Sequence, residues 1–208
     1  MKKRNAFTLA EVLITLGIIG IVAAMTMPML IAKHRKSVVE TRLKKIYSSM
    51  NQAINLSETV NGDKITWTEI VSNHEECRDN LESDGCRLYF FNTYLKDYLK
   101  YLKYESVGTS GLVIYLADGS ALRMKHPFDY YFYPNGYTKT LSEVKGKNVF
   151  PFHIAVSSWV PDCVKKELKN NSFEPYLDGY WDCTSEGLYT SPYYSTKLIQ
   201  HNGWKIPE

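Results

Sequence analysis

The sequence is short of charge wherever charge would be informative. Its formal net charge is only +3, and Lys2, Lys3 and Arg4 account for all of it; 25 basic residues less these three leave 22, against 22 acidic ones. Nucleic-acid-binding domains usually carry a marked basic excess, so composition does not point to nucleic acid. Reactive groupings are missing too. His34, His74, His126, His153 and His201 are scattered, and the four cysteines form no two-residue metal-type spacing. No phosphate-binding glycine loop, GxSxG elbow or zinc-protease motif is present. These absences argue against an enzyme and against a resident cofactor or metal.

What is present is a long apolar run. Residues 7–32, FTLAEVLITLGIIGIVAAMTMPMLIA, hold a single charge, Glu11, and about 20 apolar residues suffice for a helix to cross a bilayer. A carboxylate in such a segment costs roughly 2.5 to 3.5 kcal/mol near the centre of an inserted helix and less near its end. Its presence suggests a purpose. A secretory signal also begins basic and apolar, and Val22-Ala23-Ala24 offers a small-residue cleavage site. The internal charge and the continuation of the run through Met25, Met27, Met29, Leu30 and Ile31 argue against that reading.

The basic leader MKKRNA followed by FTLAEVLITLGIIG resembles the N-terminal processing and methylation signal of type IV pilins and type II secretion pseudopilins. The resemblance covers about 30 residues: a short basic leader, a small residue at the cut, Phe as the first mature residue and Glu as the fifth, with Gly20 and Pro28 further on. Ala6 stands where the family usually has Gly. The resemblance implies cleavage between Ala6 and Phe7 by a prepilin peptidase that also acts as N-methyltransferase, and methylation of Phe7. It further implies residence in membrane lipid before assembly, delivery through an inner-membrane assembly platform, and polymerisation with other pilin or pseudopilin subunits.

Elementary electrostatics supplies a role for Glu11 in that setting. Cleavage would leave the Phe7 amine one helical turn from the carboxylate. Two opposite charges about 4 Å apart attract by about 4 kcal/mol at an effective dielectric near 20, comparable with the insertion cost. In a filament the amine would belong to a neighbouring subunit, making Glu11 an assembly residue.

Membrane orientation is not decided by charge, because Lys33, Arg35 and Lys36 follow the span and nearly balance the leader. The resemblance and the cysteines place residues 33–208 outside the cytoplasm, anchored in the bacterial inner membrane and then in a pilus or pseudopilus. Disulfides suit that compartment. Four cysteines allow three connectivities; the preferred one closes two short loops, Cys77–Cys86 and Cys163–Cys183, each worth about 2.5 to 3.5 kcal/mol in the chain-entropy model.

The expected organisation is a leader at 1–6, a transmembrane and assembly helix at 7–32, and a pilin-like globular domain at 33–208 whose residues 33–56 continue the helix. Beyond Val39 the apolar positions Leu43, Ile46, Tyr47, Met50 and Ile54 recur at three and four residues, and the break falls at Asn61-Gly62-Asp63. A short helix is expected near Thr66–Asn73. A second amphipathic helix should turn Leu88, Phe91, Leu95, Leu99 and Leu102 inward and Lys96, Lys100 and Lys103 outward. The period then changes. Leu112–Leu116 and Ser120–Lys125 flank Ala117-Asp118-Gly119, a hairpin signal; Phe128–Tyr133 and Val149–Trp159 follow as strands. The fold class is therefore α+β, a long N-terminal helix packed on an antiparallel sheet of three or four strands, with a disulfide-braced C-terminal region. A last helix is expected with Ser191 as cap, Pro192 at its first position, Leu198 and Ile199 within it and Gly203 at its end.

Two functional classes emerge. One is structural, a pilin-like subunit polymerised through its N-terminal helix into a type IV pilus or a type II secretion pseudopilus. The other is a minor tip subunit whose Tyr-rich domain, holding all 16 tyrosines, binds a ligand as an adhesin, in DNA uptake or in capture of a secretion substrate. Asp178-Gly-Tyr-Trp-Asp182 could present carboxylates to calcium, as in some pseudopilins, but a surface loop is the preferred reading.

Overall fold

A computed structural model describes residues 8–154, 173–176 and 195–207. The first helix, α1, runs without interruption over Leu9–Asn61 and includes Pro28. Proline lacks the N–H that would bond the carbonyl four residues back, so one rung of the helix ladder is missing there, yet the helix continues. The chain divides into two units, residues 1–39 and 40–208, and α1 contributes to both.

In the second unit α1 turns one stripe inward. Leu43, Ile46, Met50, Ala53 and Ile54 are fully buried at the spacing of one helical face, which is the stripe expected from sequence. Helix α1 ends at Asn61, Gly62 takes a φ of 77°, and Asp63 caps the next helix, α2 (Lys64–Asn73), by accepting from the Ile65 N–H at 2.9 Å. Buried Trp67 locks α2 in place. Its indole N–H donates to the Gly62 carbonyl at 3.0 Å and its ring lies 4.5 Å from Tyr94 and 6.2 Å from Phe90. The disulfide Cys77–Cys86 joins the segment after α2 to α3 (Asp84–Phe90), whose cap Ser83 accepts from the Cys86 N–H.

The expected helix from Leu88 to Lys103 is cut short. Residues Phe91–Leu95 form a single π turn, with the Lys96 N–H bonded to the Phe91 carbonyl at 2.8 Å. A π turn inserts a residue into the helical phase. Phe91, Leu95 and Leu99 are still buried, but the chain then leaves the helix; Leu102 is 69% exposed, not inward, and Lys103 opens a strand.

The sheet has six strands, more than the three or four expected: β1 (Lys103–Ser106), β2 (Leu112–Tyr115), β3 (Ala121–His126), β4 (Asp129–Tyr133), β5 (Phe150–Ile154) and β6 (Phe173–Pro175). They form an antiparallel meander in sequence order. The β2–β3 turn is the expected hairpin, with Gly119 at a φ of 81°, a left-handed value costly for residues with a Cβ. The link from β1 to β2 depends on Gly111, at φ 126°, where a Cβ would lie 2.3 Å from the Met124 carbonyl oxygen.

Both faces of the sheet are covered. One carries Ile114, Leu122, Met124, Tyr130, Phe132 and Phe152, all fully buried. The other holds a separate apolar cluster of Val113, Ala121, Tyr131, Tyr133 and Val149, roofed by Tyr137 and Leu141. Two-sided burial is why β4 and β5 read as almost continuous apolar runs instead of alternating. The last helix, α4, is described over Ser195–His201, and Ile199 is its buried anchor. Ser191 and Pro192, its expected cap and first residue, lie outside the described residues.

Candidate functional site

The N-terminal half of α1 is apolar on every side. Leu9, Leu13, Ile14, Leu16, Ile18, Ile19, Ile21, Met25, Met27, Met29 and Leu30 are all exposed, and α1 is one helix long and apolar enough to cross a membrane. A helix apolar all round, with no amphipathic stripe, belongs in lipid or in the core of an assembly. Its few polar atoms are satisfied locally. The Thr15 hydroxyl donates to the Glu11 and Val12 carbonyls at 2.9 Å each, and the Thr26 hydroxyl donates to Val22 at 2.9 Å. Such internal bonding is what a hydrocarbon environment demands of polar groups.

The helix opens with a reciprocal cap at Thr8. The Thr8 N–H and hydroxyl both donate to Glu11 Oε2 at 2.8 Å, while the Glu11 N–H donates to Thr8 Oγ1 at 3.3 Å. This is a capping box, and the pattern Thr8-Leu9-Ala10-Glu11 carries its signature; sequence reasoning assigned Glu11 to the Phe7 amine and passed over this partner. A carboxylate at this position also complements the positive end of the helix dipole. Ala6 and Phe7 lie outside the described residues.

In the second unit two buried carboxylates tie the C-terminal segment to α1. Glu40 accepts from Lys205 Nζ at 2.8 Å and from the Ile206 N–H at 3.0 Å. Glu174, on β6, accepts from the Tyr47 hydroxyl at 2.8 Å and from Gln200 at 3.0 Å, with Lys197 Nζ at 3.4 Å. Burial, reinforced by the Glu174 charge, pushes the Tyr47 phenol well above its usual range, so it remains a donor. Trp204 completes the contact, its ring 5.0 Å from that of Tyr47. A further tie comes from Asn51, whose side chain donates to the Phe173 carbonyl at 3.0 Å and accepts from the Phe173 N–H at 2.9 Å. None of Glu40, Glu174 and Asn51 stood out in the sequence. Each is an isolated polar residue that reaches a partner more than 100 positions away: Glu40 to Lys205 and Ile206, Glu174 to Tyr47, and Asn51 to Phe173.

The tyrosines do packing work. Every described tyrosine is buried or half-buried. Tyr131, Tyr133 and Tyr137 surround the Arg123 guanidinium at 4.8, 5.5 and 5.8 Å, a cation–π arrangement. Arg123 also pairs with Glu143 at 3.0 Å. At the β2–β3 turn, burial opposes ionisation of Asp118, but hydrogen bonds from Ser120 and Lys45 outweigh it and hold its carboxyl down at about 2. Among the described residues no cluster of three or more His, Cys, Asp or Glu side chains could hold a metal; Asp178 to Asp182 lie outside them, as do Cys163 and Cys183.

No curated protein and no solved structure matches the chain. Residues 1–27 match the prokaryotic N-terminal methylation motif, the prepilin-type signal of type IV pilin-like proteins. That signal implies processing by a prepilin peptidase and assembly with other pilin-like subunits. Residues 29–208 match a family of unknown function (DUF6613), and because the match spans most of its length, the chain belongs to that family.

Proposed function

We propose that this protein is a structural, pilin-like subunit of a type IV pilus or type II secretion pseudopilus. It is cut between Ala6 and Phe7, methylated on Phe7, held in the inner membrane by residues 7–32, and polymerised through that helix with residues 33–208 outside the cytoplasm. The observation that carries this reading is the juxtaposition of a methylation motif with a helix half exposed and apolar on all sides. Such a surface is unstable in water and needs lipid first and neighbouring subunits afterwards.

In this scheme Glu11 caps its own helix in the membrane and exchanges Thr8 for the amine of an incoming neighbour during assembly. The partners are the prepilin peptidase and methyltransferase, the inner-membrane assembly platform and other pilin subunits; the outer domain is braced by Cys77–Cys86 and by a second bridge, Cys163–Cys183. The packed state of the described tyrosines favours this structural role over a tip receptor with a Tyr-rich binding face.

Intact-mass and N-terminal analysis of the mature protein tests it. The expected product starts at methylated Phe7, whereas a product starting at Met25 makes the N-terminal segment an ordinary secretory signal. The Glu11→Ala variant is expected to be processed and inserted but absent from filaments; normal incorporation rules out the assembly role of Glu11.

A further inference from the structure

A groove of about 440 Å³ opens in the second unit between α1, the Tyr98–Lys100 segment and the β2–β3 turn. Ile46, Leu56, Leu99 and Leu116 form its apolar wall, and Arg42, Lys45, Lys100 and Asp118 bring three cations against one carboxylate. Arg42 is held in position, its guanidinium donating to the Pro134 and Asp118 carbonyls. Lys45 pairs with Asp118 at 2.9 Å but stays mostly exposed, and exposed Lys100 has no ion pair among the described residues. Leu56 is 55% exposed on the rim. The groove thus offers positive charge beside uncovered apolar surface.

The loop bridged by Cys77–Cys86, taken with the two residues that lead into it, has the opposite character. Glu75, Glu76, Asp79, Glu82 and Asp84 are all exposed there against a single exposed cation, Arg78. Glu75 and Glu76 have no ion pair among the described residues. The loop is rigid at its base: Glu82 pairs with Lys125 at 3.0 Å, and Arg87 joins Asp84 at 2.7 Å to the Lys125 carbonyl at 2.7 Å.

Strand β3 fixes the separation of the two features. It begins at Ala121 beside the groove turn and reaches Lys125 and His126 at the acidic loop, about 17 Å away at ~3.3 Å per residue. One molecule therefore cannot easily close its own acidic loop on its own groove. Two complementary surfaces at opposite ends of a strand make a heterologous, head-to-tail contact, the kind that propagates along a filament whenever its rotation does not close a ring. We infer that the acidic disulfide loop of one copy of this chain docks in the Arg42–Lys45–Lys100 groove of the next, with Leu56 covered by the incoming loop. The inference rests on the filament reading above and assigns that filament an outer contact between domains, separate from the one along the apolar helix.

Reversal of charge on each side tests it, using the full chain in cells that assemble it and measuring the amount of subunit in sheared filaments. Lys45→Glu/Lys100→Glu and Glu75→Lys/Glu76→Lys are each expected to cut incorporation by about tenfold or more, since like charges then face each other. Both pairs of changes in one chain should restore it. Lys100→Glu with Glu76→Lys repeats the test without disturbing the Lys45–Asp118 pair, and an unchanged melting temperature of the detergent-solubilised chain excludes misfolding. Wild-type incorporation by both single-sided variants overturns the inference. So does failure of the combined variant to recover while its melting temperature is unchanged, because the groove then serves a different partner. If the wild-type chain itself never enters filaments, the filament reading falls and the inference with it.

Discussion

The two halves of α1 are one continuous helix with opposite dependence on their surroundings. In the C-terminal half, Leu43, Ile46 and Met50 are fully buried by the chain's own sheet; in the N-terminal half, residues just as apolar, such as Ile18 and Leu30, are exposed. Both halves are α-helical, and Pro28 removes only one backbone bond from the N-terminal one. The difference teaches that helix formation is not what decides where this protein is stable: covering of the apolar surface is, and only one half is covered from within.

Substitutions that shorten an apolar side chain should break the symmetry most clearly. Leu43→Ala is expected to destabilise the domain by about 3 kcal/mol, within the usual 2 to 5 for a buried leucine, read as a lowered denaturation midpoint of the detergent-solubilised chain. Ile18→Ala should leave that midpoint within about 0.5 kcal/mol. An equal loss from both would mean that the N-terminal half has packing partners within its own chain.

Acid should act on the second unit through a buried histidine. His153 is buried on β5, its ring 5.0 Å from that of Tyr176, and burial lowers its pKa from 6.5 to about 4. Because the folded-state pKa is depressed, the folded state resists protonation. Its contribution is complete above pH 6.5 and is lost as pH falls from 6.5 toward 4, to a limit of about 3 kcal/mol. Melting between pH 7 and 4.5 checks this, with His153→Gln expected to flatten the profile; an unchanged slope would assign the acid sensitivity to other groups. The most local effect belongs to the first turn. Thr8→Ala removes the reciprocal cap and should cost about 1 kcal/mol, seen as faster amide exchange in residues 9–12 with no change in the domain midpoint.

Much of this architecture was legible in the sequence, because it follows from period and punctuation. The buried stripe of α1, the break at Asn61-Gly62-Asp63, the α2 segment and the Asp118-Gly119 hairpin each have a local cause. The losses are equally specific. The π turn at Phe91–Leu95 has no sequence mark, and it converted the end of an expected helix into β1. Strand β6 is too short at three residues to show alternation, and it exists through long-range partners. The cap at Thr8 does have a local mark, the Thr8-Leu9-Ala10-Glu11 spacing of a capping box, which stands apart from the charge argument for Glu11. The groove could not be read at all: Arg42 and Lys45 look like a solvated helix face until the β2–β3 turn, more than 70 residues on, is laid beside them.

The pair of bonds between Asn51 and Phe173 has a consequence for how the family can vary. A single side-chain amide presents the donor and acceptor that a neighbouring strand would otherwise supply, so β6 keeps its place with only three residues of its own. Phe173 acts as a fixed post in the chain. Insertions or deletions on either side leave the post where it is, and each doubling of a connecting segment costs only about 0.6 kcal/mol in closure entropy. Relatives can therefore differ widely in length around this position while keeping the same sheet.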